Sequence, residues 1–262
     1  MARIVITGSS GRMAADLRPR LLAAGHCLVL VDVVPTAATS GEEHHAVSVT
    51  DVDALVPLLH GADLVVHLAG YSRERPWADI AEVNIGGGYG VLEAAYRAGV
   101  RRLLMASSLH AAGCTPVGEA DRLPVLLPRP DGLYGAGKVA VEALASAYAD
   151  RCAMVVVSAR VMNYATRPER LRTLSLWLSP DDFARLVEAA LRLDRPGHHI
   201  VWGVSRNTRG VVSLAAGHAI GFYPCDDAED HAHEIVPADG DPVHDRLGGA
   251  FLDDAHPMGV AW

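Results

Sequence analysis

The order of apolar patterns along the chain predicts an α/β fold with a doubly wound parallel sheet. Three observations carry that prediction. Short apolar runs alternate with helix-period segments through the first 160 residues, a glycine-containing turn follows the first run, and a Tyr-Gly-Ala-Gly-Lys pentad opens a helix late in the series. Arg3 to Thr7 reads as the first strand, followed by the turn and a helix to about Ala24; Cys27 to Asp32 reads as the second strand. The polar stretch from Pro35 to His45 reads as a loop, and Asp51 as the N-cap of a helix ending near His60-Gly61. Strands are expected at Asp63 to Leu68 and Arg101 to Ser107, separated by a helical stretch that Gly99 terminates. A helix over Tyr134 to Asp150 and a strand over Ala153 to Ala159 complete the series. Pro19 and Pro57 fall inside the first two helices, where proline removes a hydrogen bond and costs roughly 3 kcal/mol, so both are expected to be kinked or short. Beyond Arg160 the alternation breaks down, leaving one helix (Pro180 to Leu193) and one strand (His199 to Val201).

Bulk properties narrow the classes of function. The 262 residues are 50% hydrophobic and 21% charged, an ordinary globular balance that excludes a disordered or collagen-like chain. Net charge is −8, from 23 basic and 31 acidic residues, without the basic stripe that nucleic-acid binding needs. The first residues carry no apolar segment of signal-peptide length, and runs such as Cys27 to Val31 and Ala153 to Val157 are strand-sized. Cys27, Cys114, Cys152 and Cys225 are scattered without a CxxC pair and read as reduced thiols. A cytoplasmic protein with no membrane or nucleic-acid partner is expected, and a homo-oligomer is compatible with this reading. Glu42-Glu43-His44-His45 and His231-Ala232-His233-Glu234 hold ligand-type residues, but without a second cluster at recognised spacing they read as solvated loops, and no metal is expected.

Gly8-Ser9-Ser10-Gly11-Arg12-Met13-Ala14 lies directly after the first strand and opens the first helix. A bare backbone there can approach a pyrophosphate, and the helix N-terminus offers free N–H groups and a favourable dipole. Ala14 takes the third glycine position, which governs helix–strand packing. Asp32 follows Gly8 by 24 residues, where a carboxylate can accept from both adenosine ribose hydroxyls and repel a 2′-phosphate. The motif therefore predicts a Rossmann-type core that prefers NAD, with Arg12 the one residue that could favour NADP. Leu68, Ala69 and Gly70 end another strand where the cofactor passes, and Asn84 is expected to begin the next helix. For His67 a hydrogen-bonded structural role is expected rather than proton transfer. The reading assigns residues 1–160 to a dinucleotide-binding core, and 161–262 to a small substrate-binding cap and C-terminal segment packed as one globular unit. A small cap suits a compact substrate.

Tyr134 and Lys138 lie one helical turn apart and share a face. A phenol with a pKa near 10 is a poor base at neutral pH, and a neighbouring ammonium stabilises the phenolate so that proton abstraction becomes feasible. Lys138 can also hold the nicotinamide ribose. Ser107 and Ser108 end the preceding strand, and one of them is expected to hydrogen-bond the reacting oxygen; Ser107 reads equally as a local cap.

The segments TGSSGRM, VHLAG, SSLH, PRPDGLYGAGK and LRTLSLWLSPDDF together resemble the uronate dehydrogenases, through GFYPCDDAED and GGAFLDD near the C-terminus. That resemblance implies an extended short-chain dehydrogenase that uses NAD to oxidise the anomeric carbon of glucuronate or galacturonate to an aldarolactone. It implies Ser108, Tyr134 and Lys138 as the catalytic trio, and Ser72, His110 and Arg172 as sugar contacts. A guanidinium at Arg172 suits bidentate capture of a carboxylate. Three positions depart from the family pattern. Leu109 replaces an asparagine expected to bind the sugar, Asn163 stands where a serine is usual, and Ser48 stands where an aspartate usually touches the adenine. Leu109 and Asn163 are expected in the substrate pocket, where losing a hydrogen-bonding group shifts affinity by about 1–3 kcal/mol. They motivate a second reading, a reductase or epimerase of another small sugar or carbonyl compound. A non-catalytic dinucleotide sensor is a third, and could dispense with the tyrosine and lysine that are present here.

Overall fold

The computed structural model describes residues 1–235 and 244–262. Seven strands form one parallel sheet: β1 (Arg3–Thr7), β2 (Cys27–Val31), β3 (Glu42–His45), β4 (Leu64–His67), β5 (Arg102–Ser108), β6 (Val155–Val161) and, after a separate two-stranded ladder of β7 (Asn163–Tyr164) and β8 (Trp177–Leu178), β9 (Gly197–Gly203). Their order is β3-β2-β1-β4-β5-β6-β9. The chain runs outward from β1 to β3, then returns to place β4 beside β1. That reversal opens a crevice at the carboxyl ends of β1 and β4, the standard ligand position in an open parallel sheet.

Helices cover both faces, as continuous apolar strands require. On one face α1 (Arg12–Ala23) lies against Ile4, Ile6, Leu28 and Leu30. On the other, α2 (Val52–Leu59) joins a core holding Val5, Val29, Val65 and Leu103. A short turn α3 (Trp77–Asp79) leads through a π-helical stretch, Ile80–Gly86, into α4 (Gly87–Arg97), which shares that second face with α5 (Leu133–Cys152). The short α6 (Thr173–Leu176) precedes α7 (Pro180–Arg192), which packs beside α1 on the first face. Among the described residues no helix is long and apolar enough to cross a membrane.

Several sequence expectations hold. Asp51 caps α2 by accepting from the Ala54 N–H at 3.1 Å, Gly99 takes the left-handed conformation (φ +74°) beyond α4, and both prolines sit inside their helices. Others need correction. The expected loop up to His45 contains the edge strand β3, which forms because its charge is paired: the Glu42 carboxylate accepts two bonds from the Arg18 guanidinium of α1, each 2.7 Å. The Glu42-Glu43-His44-His45 run is thus a strand rather than a solvated loop. Asn84 does not open a helix; it lies inside the π-helical stretch. Nor does the alternation end at Arg160, since β9 pairs with β6 along its whole length from Val155↔Gly197 to Val161↔Gly203. The sheet layer therefore continues past residue 160.

Candidate active site

The glycine turn occupies the β1–β4 crevice. Gly8 has φ +74°, and a Cβ there would lie 2.5 Å from the Ala69 backbone nitrogen. Only a bare backbone lets the two strand-end loops approach this closely. Gly11 is the N-cap of α1 and supplies no side-chain cap, and the first turn carries no acidic residue. The leading N–H groups of α1 are therefore free to receive an anion. Asp32 follows β2, and its carboxylate accepts from the Ser10 N–H at 3.0 Å and the Val34 N–H at 2.9 Å. A carboxylate has about four acceptor sites, so capacity remains for two ribose hydroxyls. The Ser10 hydroxyl bonds Thr36 and the Val34 carbonyl. Arg12 is committed elsewhere: it donates to the Tyr164 carbonyl at 2.7 Å and lies over the Tyr164 ring. Met13 packs against the α1 core. Leu68, Ala69 and Gly70 form the opposite wall, held by Asn84, whose side chain bonds both the N–H and the carbonyl of Tyr71. These features fit a dinucleotide: a cradle that a Cβ would fill, an uncapped helix N-terminus and an acceptor at the second strand end.

Tyr134 opens α5 and is buried, as is Ser108 at the end of β5. Burial pushes the Tyr134 phenol up to about 12, a hydrogen bond with Ser108 opposes the rise, and the charge of Asp131 adds to it. Lys138 donates to the Ala106 carbonyl at 2.7 Å, with its ammonium 5.6 Å from the Tyr134 ring centre. Burial lowers that ammonium to about 8, against a raising influence from Glu142. Ser107 is spoken for by the buried Glu142, to which it donates at 2.6 Å. Glu142 in turn holds Arg160 through bonds of 2.9 and 2.7 Å. His67 shares a 2.7 Å hydrogen bond with Thr7, the structural role the sequence suggested, and burial with the charge of Lys138 drops it to about 3.

The residues expected on the substrate side differ in their relation to this centre. His110 follows Ser108, whose hydroxyl accepts from the His110 N–H at 3.2 Å, and its ring lies 5.7 Å from that of Tyr134. Arg172, at the start of α6, has its guanidinium on the Leu247 carbonyl, its one acceptor among the described residues. Ser72 sits exposed on the loop after β4, and Asn163 sits in β7. Leu109 is buried in an apolar cluster with Leu126, Met162, Leu176, Trp202 and Leu247, so its side chain is engaged in packing.

Three groups here were not singled out from the sequence. Glu74 is buried and accepts from the N–H groups of Leu133, Tyr134 and Gly259, at 2.9, 2.9 and 2.8 Å, so it caps the helix that carries Tyr134. Asp131 bonds His110 at 2.6 Å. Phe251, from the C-terminal segment, stacks on the His110 ring with centroids 3.6 Å apart. An acidic residue just before a helix is a recognisable N-terminal signal for Asp131. Glu74 and Phe251 act across long sequence separations and leave no local pattern.

The model of the NAD dependent epimerase/dehydratase family matches residues 4–174. The chain is 36% identical to a uronate dehydrogenase of Pseudomonas syringae pv. tomato, over 95% of this chain and 93% of that one. Its fold superposes with a TM-score of 0.90 on a mutant uronate dehydrogenase from Agrobacterium tumefaciens complexed with NAD, at 34% identity, covering 98% of this chain and 99% of that one. It matches a glucuronic acid dehydrogenase from Chromohalobacter salexigens equally well, with TM-score 0.90, 34% identity and 98% coverage of both chains.

Proposed function

The chain belongs to the NAD dependent epimerase/dehydratase family, and from that membership we propose that it is an NAD-dependent dehydrogenase oxidising a hexuronate, glucuronate or galacturonate, at the anomeric carbon to the aldarolactone. One observation carries the substrate class. Two other arginines with well-buried side chains, Arg18 and Arg160, are each matched to a carboxylate, Glu42 and Glu142. Arg172 is half-buried, its pKa lowered by that burial, and among the described residues it meets only a carbonyl. A half-buried guanidinium without an anion is costly, and a uronate carboxylate satisfies it bidentately.

Gly8, Ser10, Gly11 and the backbone N–H groups of Arg12 and Met13 hold the pyrophosphate, Asp32 the adenosine ribose, and Leu68, Ala69 and Gly70 line the wall beside the nicotinamide half. The Asp32 charge opposes a 2′-phosphate, which favours NAD. When bound, NAD supplies the acceptor for the hydrogen and electron pair leaving the anomeric carbon, and a positive charge in the site. Tyr134 takes the hydroxyl proton, Ser108 orients the oxygen that becomes the lactone carbonyl, and Lys138 lowers the proton affinity of Tyr134. That help is needed, because a phenol held near 12 by burial does not ionise at neutral pH unaided. Ser72, His110 and Arg172 position the sugar, with Asn163 and the backbone at Leu109 bordering it. Residues beyond 160 that lie outside α7 and β9 thus form the substrate side. We place the reaction in the cytoplasm, where the four free cysteines stay reduced, and assign no nucleic-acid or membrane partner to this acidic chain.

The test is NADH formation by the purified protein with NAD and glucuronate or galacturonate, against NADP and neutral hexoses as controls. Turnover specific to NAD and to uronates is expected. Oxidation of neutral hexoses at the same rate would remove Arg172 from substrate selection and overturn the assignment.

A further inference from the structure

We propose that Asp131 is a positioning residue that fixes the tautomer of His110, so that His110 presents an unprotonated Nε2 and accepts a hydrogen bond from a sugar hydroxyl close to the reacting carbon. The proposal rests on the hexuronate reading and adds to it the group that orients His110.

The geometry constrains the histidine on every side. Its Nδ1 lies 2.6 Å from Asp131 Oδ2, and the two side chains are 11% and 1% exposed. One ring face is covered by Phe251 and an edge meets Tyr134. A carboxylate oxygen only accepts, so Nδ1 carries the proton, and in the neutral ring Nε2 is left with its lone pair. Among the described residues Nε2 has no partner. The carboxylate has little room to turn toward another group: Gly113 and Gly248 crowd it so closely that a Cβ on either would run into Asp131. Its second oxygen, Oδ1, is buried without a partner. Such an acceptor is expensive to bury, so its retention points to the one bond it makes. A neutral imidazole with a bare Nε2 matches a hydroxyl donor, whereas the guanidinium of Arg172 matches a carboxylate. The pair therefore reads the hydroxyl pattern of the sugar while Arg172 reads its acid.

Asp131 also bears on Tyr134, whose proton affinity its charge raises. Among the described residues, the other charged and titratable groups around this cluster are Lys138 beside the Tyr134 ring, Glu74 at the Tyr134 N–H, Arg172 across the C-terminal segment, and His256, which meets Phe251 through Trp262. In Asp131→Asn the negative charge is gone and the amide can donate as well as accept, so either tautomer fits. KM for the uronate is expected to rise about ten-fold, the equivalent of one lost hydrogen bond of about 1.4 kcal/mol. The acid-side midpoint of the kcat profile is expected to move to lower pH, because removing a negative charge makes the Tyr134 proton easier to lose. The affinity for NAD stays the same. A purely structural role would lower the amount of active enzyme and leave both KM and the midpoint in place, which overturns the proposal. Should the variant fail to fold, nitrogen-15 histidine spectra of the wild-type protein with NAD decide the matter. A protonated Nδ1 and bare Nε2 at His110, identified by loss of the signals in His110→Gln, support the pair; the opposite tautomer overturns it. These spectra need no sugar, so they stand even if the wild-type enzyme leaves uronates untouched and the substrate reading fails.

Discussion

Around β1, β2 and β4 each candidate group lies within a few residues of a strand end, whereas around Tyr134 the groups arrive from segments far apart in the chain. Gly8, Asp32 and Gly70 are placed by the sheet itself, whose register sets Thr7 beside both Val31 and His67. The Tyr134 side depends on side-chain contacts: Glu74 from one loop, Asp131 and His110 from two others, and Phe251, Leu247 and Gly259 from the C-terminal segment. A site placed by backbone register tolerates side-chain changes nearby. One assembled by remote contacts loses its geometry when any contributor shifts. Substitutions on the first side are expected to alter cofactor affinity, and those on the second to alter turnover and substrate choice.

The largest expected effect tests that separation directly. Tyr134→Phe keeps the ring and removes the phenolic oxygen. Turnover should fall by about 10²–10⁴-fold, the usual worth of a positioned acid–base group, while NAD binding by titration is unchanged. A loss of NAD affinity of the same size would merge the two regions into one.

Arg172→Ala comes next. Losing hydrogen bonds to a charged group costs about 1.5–3 kcal/mol, so kcat/KM for uronates should drop roughly 10- to 150-fold with little change toward neutral sugars. Gly249→Ala sharpens the point without touching the guanidinium itself. Gly249 holds φ +59°, and a Cβ there would sit 2.7 Å from the Arg172 guanidinium carbon. If remote contacts set this side of the site, Gly249→Ala should weaken uronate use in the same direction as Arg172→Ala. Unchanged kinetics would mean that Arg172 is placed by α6 alone.

The same contrast explains what the sequence made legible. The sheet, both prolines inside helices, the glycine turn and the YxxxK pair could all be read because each leaves a periodic or short-range signature. Edge strand β3 could not, because Glu42-Glu43-His44-His45 has no apolar alternation and pairs only once Arg18 of α1 neutralises it. Arg160 carries no local signal of its role either: it is 1% exposed and paired with Glu142, which depends on a fold-level contact between α5 and β6. The resemblance drew attention to Asn163 and Leu109 as substrate-pocket departures, and Leu109 turns its side chain into an apolar cluster. What the sequence hides is not the catalytic chemistry but the supports that reach it from elsewhere.

His67 sits at the seam of the two regions, at the end of β4 between Thr7 and the charge of Lys138, and it yields the smallest effect. Its folded pKa lies at about 3, below the ordinary 6.5, because burial and Lys138 both oppose a second proton. A histidine with a depressed folded pKa binds fewer protons folded than unfolded between those two values. Acidification through that window therefore favours the unfolded chain, and stability rises again as pH climbs from 3 to 6.5. Between pH 7 and pH 5 the loss from this one group is about 2 kcal/mol, since a full pKa unit corresponds to about 1.4 kcal/mol. His67→Asn keeps a hydrogen-bonding partner for Thr7 but does not titrate. Denaturant midpoints of this variant should fall less steeply between pH 7 and pH 5 than those of the wild type. Parallel curves would mean that His67 gains its proton in the folded state without penalty, and that the seam is wetter than its burial indicates.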